Sequence, residues 1–355
     1  VVEIATTRYR VVTDSMKGKQ LVPATAWIVT IILIVVLLAF DYFFHVRKAH
    51  VPSLREAGIW SAVYIGIALV FGALVTVLGG AEMGEEYFAG YITEKALSVD
   101  NLFVFLIIMS SFAVPRATQQ KVLLFGIIVS LIARTGFILI GTALIAHFTW
   151  IFYIFGIVLF LTAGHTLRSH GGQGRDEAGE NVMIQLARRS LRTSSDYDGD
   201  RLVTTVDGRR TLTPLVVVMA AIGGTDILFA LDSIPAIFGL TQSTFVAFTA
   251  TVMSLLGLRQ LYFLIDGLLD RLVYLSYGLA GILAFIGVKL VLHALHENNL
   301  PFINGGQPLH VAEISTPFSL GVIVTILAVT VTASLLARRG SAERERAPEV
   351  STPVP

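Results

Sequence analysis

The chain contains no cysteine, so it can form no disulfide, no thiolate metal site and no dithiol redox pair. Charge is scarce too: Asp, Glu, Lys and Arg make up 14% of its 355 residues, against about 25% in soluble domains. The formal net charge of +1 gives no global field to recruit nucleic acid, so any electrostatic argument depends on where the charges fall. Six methionines, not clustered, leave little soft-ligand capacity for copper. Carboxylates, amides, hydroxyls and carbonyls remain for hard cations. No ATP-binding motif is visible.

What is plentiful is apolar length, with 54% of residues hydrophobic. Segments of about 20 apolar residues, enough to cross a hydrocarbon core, recur nine times: Ala24–Phe44, Ile59–Leu78, Tyr87–Phe112, Val122–Ala146, Phe148–Thr166, Leu215–Gly239, Phe245–Ile265, Leu272–Leu295 and Pro317–Ala337. The expected fold class is all-α, a polytopic membrane helix bundle of about nine transmembrane helices. The first run is longer than the apolar core of a signal peptide and has no small-x-small cleavage site after it, so it is read as a retained span.

Lys and Arg are distributed unevenly. Eighteen lie in the loops and tail on one side, four lie on the other, and the remaining four fall inside spans. The positive-inside rule therefore predicts a multi-pass protein of the plasma (inner) membrane with its amino terminus outside and its carboxyl terminus cytoplasmic. Residues 1–23 form an extracytoplasmic segment, 24–337 the transmembrane domain and 338–355 a disordered cytoplasmic tail. The long break at 167–214 is a cytoplasmic loop: a basic amphipathic helix is expected over Asn181 to Leu191, and a hairpin over Leu202 to Leu212, where Asp207-Gly208 separates β-prone runs.

Two acidic patches lie within the spans. The third span holds Glu94-Lys95-Ala96-Leu97-Ser98-Val99-Asp100-Asn101, and the sixth holds Asp226-Ile227-Leu228-Phe229-Ala230-Leu231-Asp232-Ser233. At ~1.5 Å per residue, Glu94 and Asp100 lie ~10 and ~20 Å into their span, and Asp226 and Asp232 ~16 and ~26 Å into theirs. A buried unpaired carboxylate costs ~2.5 to 3.5 kcal/mol at the bilayer centre, so the four acids are expected to share a wet or cation-filled site. Residues six apart on one helix are ~9 Å apart and rotated by about 120°, so one regular helix chelates poorly. Either two crossing helices contribute one acid each, or a helix breaks. Pro235 and Gly223-Gly224 point to a break in the sixth span; the third has Gly90 but no proline in its patch.

The two patches run in opposite directions across the membrane, and each is followed by a span with one Arg: Arg134 in the fourth and Arg259 in the seventh. This is an inverted three-helix repeat, a build typical of secondary transporters. Lys95, Arg134 and Arg259 are candidate charge partners or gating residues. One alternative makes the acids and buried bases a purely structural lock. Histidines such as His45, His147 and His293 lie near span ends and read as interfacial.

At these residues the sequence resembles the TerC family of integral membrane proteins, named for tellurium resistance and including manganese exporters. The resemblance is carried by Glu86 through Val104, by Asp226 through Ala236, and by Leu256-Gly257-Leu258-Arg259-Gln260-Leu261-Tyr262. It implies a nine-span protein related to LysE-type exporters, with the motif acids as metal ligands. Tellurite is an oxyanion that four carboxylates would repel, whereas the same oxygens suit Mn²⁺, Ca²⁺ or Mg²⁺. The expected function is export of a hard divalent cation, Mn²⁺ first, by a proton-coupled antiporter. Its expected metal ligands are Glu94, Asp100, Asn101, Asp226, Asp232 and Ser233. The expected partners are the lipid bilayer, the divalent metal ion and protons, with no nucleic acid, no resident cofactor and no enzymatic activity. The alternatives are a non-transporting scaffold or stress sensor, and an exporter of a zwitterionic solute.

Overall fold

The computed structural model describes residues 22–46, 52–148, 150–171, 197–206, 209–265, 274–298, 300 and 303–346. A few side chains within these ranges, that of Asp232 among them, lie outside the description, as does the amphipathic helix expected over 181–191. The described residues form ten α-helices and one two-stranded ribbon. Helix α1 (Ala24–Asp41) continues as a π-turn over Tyr42–Val46, followed by α2 (Leu54–Gly79), α3 (Ala81–Ser111), α4 (Arg116–His147) and α5 (Ile151–Gly171). Strands β1 (Val203–Val206) and β2 (Arg209–Leu212) precede α6 (Pro214–Phe238), α7 (Thr244–Leu255), α8 (Leu258–Ile265), α9 (Leu275–His296) and α10 (Thr316–Arg346).

Local chemistry sets several of these boundaries. Ser53 caps α2 by accepting from the Glu56 backbone N–H at 3.2 Å, and Ser243 caps α7 in the same way. Pro214 opens α6 at a position whose N–H would have no helical partner. The two strands of the hairpin expected over Leu202 to Leu212 pair antiparallel, with Val203 opposite Leu212; the turn residues 207 and 208 lie outside the described residues. The ribbon is docked through Lys121 Nζ, which donates to the Asp200 carbonyl at 2.8 Å, and through the Tyr197 hydroxyl, which donates to the Phe112 carbonyl at 2.8 Å. Burial pushes the Tyr197 phenol above its usual pKa. Helix α10 runs past Ala337 to Arg346, so the start of the tail expected to be disordered continues the last span.

Among the described residues, eight stretches are long and apolar enough to cross a membrane. Helix α3 is long enough but carries Glu82, Glu85, Glu86, Glu94, Lys95 and Asp100. With α3, the chain is a polytopic helical bundle of about nine spans. The span made by α7 and α8 is the most enclosed, with 89% of its apolar window buried against 17% for the first and last spans. Exposed Ile28, Val29, Ile32 and Val36 on α1 and Val70, Leu74, Val77 and Leu78 on α2 form faces suited to lipid. Packing follows the inverted repeat: α3 packs on α7 as α6 packs on α4, α3 touches α6, and α5 packs on α9.

Two corrections concern helical breaks. Helix α6 continues through Pro235 to Phe238, and the Gly239 N–H donates to the Pro235 carbonyl at 3.0 Å. Pro235 lies in the last turn, where losing one donor does not end the helix. Gly223 instead admits the close approach of Val129 from α4. The discontinuous span is the seventh: Leu256 is extended, with ψ 133°, and Gly257 has φ +78°, so the helix stops at Leu255 and restarts at Leu258.

A Cβ on Gly257 would lie 2.6 Å from the Tyr64 Cβ. Left-handed backbone costs an L-residue about 1–2 kcal/mol, and overpacking adds about 1–3 kcal/mol. Gly257→Ala is therefore expected to lower stability by about 2–5 kcal/mol, read as a fall in Tm of the detergent-solubilised protein. A melting curve like that of the wild type would contradict the strain assigned to this position.

Candidate functional site

Along three helices the side chains follow the same order. On α3, buried Tyr87 and Tyr91 belong to one apolar cluster and Leu102, Phe105, Ile108 and Met109 to another; Thr93, Glu94 and Ser98, all buried, lie between. On α6, Leu215, Val218 and Ile222 precede Asp226 and Ser233, and Ile234, Ile237 and Phe238 follow them. On α4, Leu123 and Ile127 precede Ser130 and Arg134, and Ile138 follows. A polar layer is thus enclosed between two apolar plugs.

At its centre Arg134 Nη1 donates to Glu94 Oε2, in an ion pair whose side chains are each 1% exposed. Asp226 is 2% exposed and lies within electrostatic reach of both Arg134 and Glu94, with Ser130 beside it. Ser233 lies against Glu94. The layer is under-satisfied: Arg134 Nε and Nη2 and the hydroxyls of Thr93 and Ser98 have no hydrogen-bond partner, and the Ser130 and Ser233 hydroxyls come near Asp226 and Glu94 without a well-formed hydrogen bond. Each such group costs about 1–3 kcal/mol, so this concentration of orphaned atoms marks a place built to receive something polar. The donor set is carboxylate and hydroxyl oxygen, suited to a hard cation.

Of the other predicted ligands, Asp100 has a described contact with another helix. Asp100 is partly buried and accepts from the Ser276 hydroxyl of α9 at 3.3 Å; α3 stays regular, so its side chain is rotated by about 120° from that of Glu94, six residues earlier. Asn101 is buried next to it in sequence. Asp232 lies on α6 one residue before Ser233, with its side chain outside the described residues. Among the described residues, no three His, Asp or Glu side chains are grouped as a metal site. Among the described side chains, Glu94 and Asp226, one acid from each inverted half, come within electrostatic reach of each other.

The bases part company as well. Lys95 does not enter the acid centre: its Nζ donates to the Ser254 carbonyl at 2.9 Å and approaches the Leu256 carbonyl at 3.4 Å. Arg259, the repeat counterpart of Arg134, forms its described ion pair with Asp41, outside the motif acids. Its Nη2 donates to Asp41 Oδ1 at 2.7 Å and its Nη1 to Gln120 Oε1 at 2.5 Å. The same Asp41 oxygen accepts from Gln260 Nε2 at 2.7 Å and from the Tyr64 hydroxyl at 3.0 Å. Sequence reasoning missed Asp41, whose one signal is an acid at the polar end of the first span.

Beyond the plug of Phe238 and Phe245 lies a cavity of about 1300 Å³, lined by Glu82, Glu85, Glu86, Lys289, His293 and Glu313 among others. Glu86 accepts from the Thr241 hydroxyl at 2.5 Å, and His293 contacts Glu313 at 3.0 Å. This acidic vestibule is on the side that the charge asymmetry predicts to be extracytoplasmic.

A multi-span helical bundle with two antiparallel halves meeting at buried, under-satisfied acids defines a class of polytopic membrane protein. The chain belongs to the integral membrane protein TerC family, which matches residues 79–342. It is 60% identical over 323 residues to the uncharacterized membrane protein Rv2723 of Mycobacterium tuberculosis, covering 90% of this chain and 81% of that one. It is 36% identical over 313 residues to the uncharacterized membrane protein STKORF319 of Myxococcus xanthus, covering 88% and 92%. It is 34% identical over 308 residues to the putative membrane-bound redox modulator Alx of Escherichia coli, covering 84% and 90%. No solved structure matches the chain.

Proposed function

We propose that this TerC-family protein is a secondary transporter of the plasma membrane that exports a hard divalent cation, Mn²⁺ first, by proton-coupled alternating access. The carrying observation is the enclosed Glu94–Asp226–Arg134 centre, where carboxylate oxygens from both halves lie between two apolar plugs with hydrogen-bonding capacity unused. Arg134 serves as the resident counter-charge of the empty site. The arriving cation replaces it on Glu94, with Asp226, Ser130 and Ser233 completing the oxygen set. Rocking of one half against the other opens the site toward the acidic vestibule. Protons from that side then neutralise the two carboxylates, which cancels the attraction for a divalent ion. A redox role like that in the name of the Alx relatives would have no thiol to act through in this chain.

The reading is tested with everted membrane vesicles, in which an exporter accumulates Mn²⁺ when the lumen is acid. Glu94→Gln and Asp226→Asn each remove a charged ligand and are expected to cut uptake more than about tenfold, with folded yield retained. Absence of Mn²⁺ uptake by the wild type, or uptake unchanged by Asp226→Asn, would overturn the proposal. The structural-lock reading is favoured by the Glu94–Arg134 pair; it predicts the opposite pattern, with folded yield falling at Glu94→Gln.

A further inference from the structure

The break in the seventh span leaves the last carbonyls of α7 without helical donors, and a helix C-terminus carries about half a negative charge. Among the described residues, a charged side chain from a distant helix reaches this end. Lys95 Nζ, on α3, is 2.9 Å from the Ser254 carbonyl and 3.4 Å from the Leu256 carbonyl. Two hydroxyls without partners lie one turn away on the same helices: Thr251 on α7, and Ser98 on α3, both fully buried.

The inverted repeat supplies a control. The counterpart of the seventh span is α4, which runs unbroken over Arg116–His147. Matching Glu94 with Asp226 puts Ile227 at the place of Lys95. The half with the broken helix thus carries a lysine at this position, and the half with the intact helix carries Ile227, which is 40% exposed. The lysine thus stands in the half whose facing helix is broken, and the half whose facing helix is intact does without one. Carbonyls at the C-terminal end of a broken membrane helix are a common way to hold a small monovalent ion.

We propose that the carbonyl end of α7 is a binding site for a monovalent cation, which the tethered ammonium of Lys95 occupies from within the chain. The charge that a free sodium or potassium ion would supply is built in, and the protein needs none at this place. The site is separate from the acid centre, and the proposal does not depend on which cargo that centre carries.

Removing the ammonium opens the site. Purified Lys95→Ala is melted in sodium, potassium or N-methylglucamine chloride at equal ionic strength, beside the wild type and Lys95→Met, whose side chain fills the space without charge. Lys95→Ala is expected to melt about 2–4 °C higher in sodium or potassium than in N-methylglucamine, whereas the wild type and Lys95→Met melt alike in all three. Equal melting of Lys95→Ala in the three salts overturns the proposal, as does the same ion-specific shift in the wild type or in Lys95→Met. Failure of Lys95→Ala to fold in any salt also overturns it, because a vacated site would be filled by the potassium of the cell. These measurements read binding, not transport, so a failed manganese assay leaves them interpretable.

Discussion

Arg134→Met is expected to cost about 3–5 kcal/mol of stability, the usual effect of stripping one partner from a buried ion pair. Glu94 would be left 1% exposed with no cation beside it, and Asp226 would lose the positive charge within its reach. Glu94→Gln should be milder, because Arg134 keeps Asp226 in range and the new amide can still accept its hydrogen bond. The double variant Glu94→Gln/Arg134→Met should recover much of the loss, giving a coupling of about 2–3 kcal/mol. The measurement is a double-mutant cycle by thermal melting in detergent, with Mn²⁺ flux in vesicles alongside. Additive losses would remove the pair as a structural unit. Near-wild-type flux in Glu94→Gln would remove Glu94 as a ligand.

Asp41→Ala should rank next. One oxygen of this buried carboxylate accepts from Arg259, Gln260 and Tyr64, so its removal leaves a buried guanidinium without its acid. The expected loss is again about 3–5 kcal/mol. Asp41→Asn, which keeps an acceptor oxygen but not the charge, should fall between. Asp41 lies on α1, ahead of the family match at 79–342, whereas Arg259 lies within it. The network therefore fastens the first two helices to the core of the family fold. If Asp41→Ala shifted Tm no more than a lipid-facing change such as Val29→Ala, that fastening would be refuted.

Much of the fold was legible in the sequence because the bilayer permits few solutions. Apolar length marks spans, and Asp207-Gly208 between β-prone runs marks a hairpin. Even the span that fails a simple apolarity test, α3, was readable, since its charges recur as a pattern matched in α6. The inverted repeat was legible for the same reason, and the packing of α3 on α7 and α6 on α4 follows from it. Glu94, Asp226, Ser233 and Arg134 were visible as charged or polar residues too deep to reach water.

Tertiary structure decided what those residues meet. Composition made Pro235 the natural place for a break, but a proline in the last turn removes one hydrogen bond without redirecting the chain. Gly257, an unremarked residue in a motif, takes φ +78°, and Tyr64 leaves no room there for a Cβ, so both the backbone and the packing require glycine. Asp100 parted from Glu94 because a regular helix rotates six residues away from alignment. Arg259 found Asp41 across 218 residues, and Lys95 found the end of α7 across 159. No local pattern encodes such distances. The sequence by itself determined that buried charges exist and on which helices they ride, since that follows from periodicity and the cost of charge in hydrocarbon. Which charge neutralises which was settled by how the helices cross, because a buried ion pair depends on separations of a few ångströms that only the packed bundle defines.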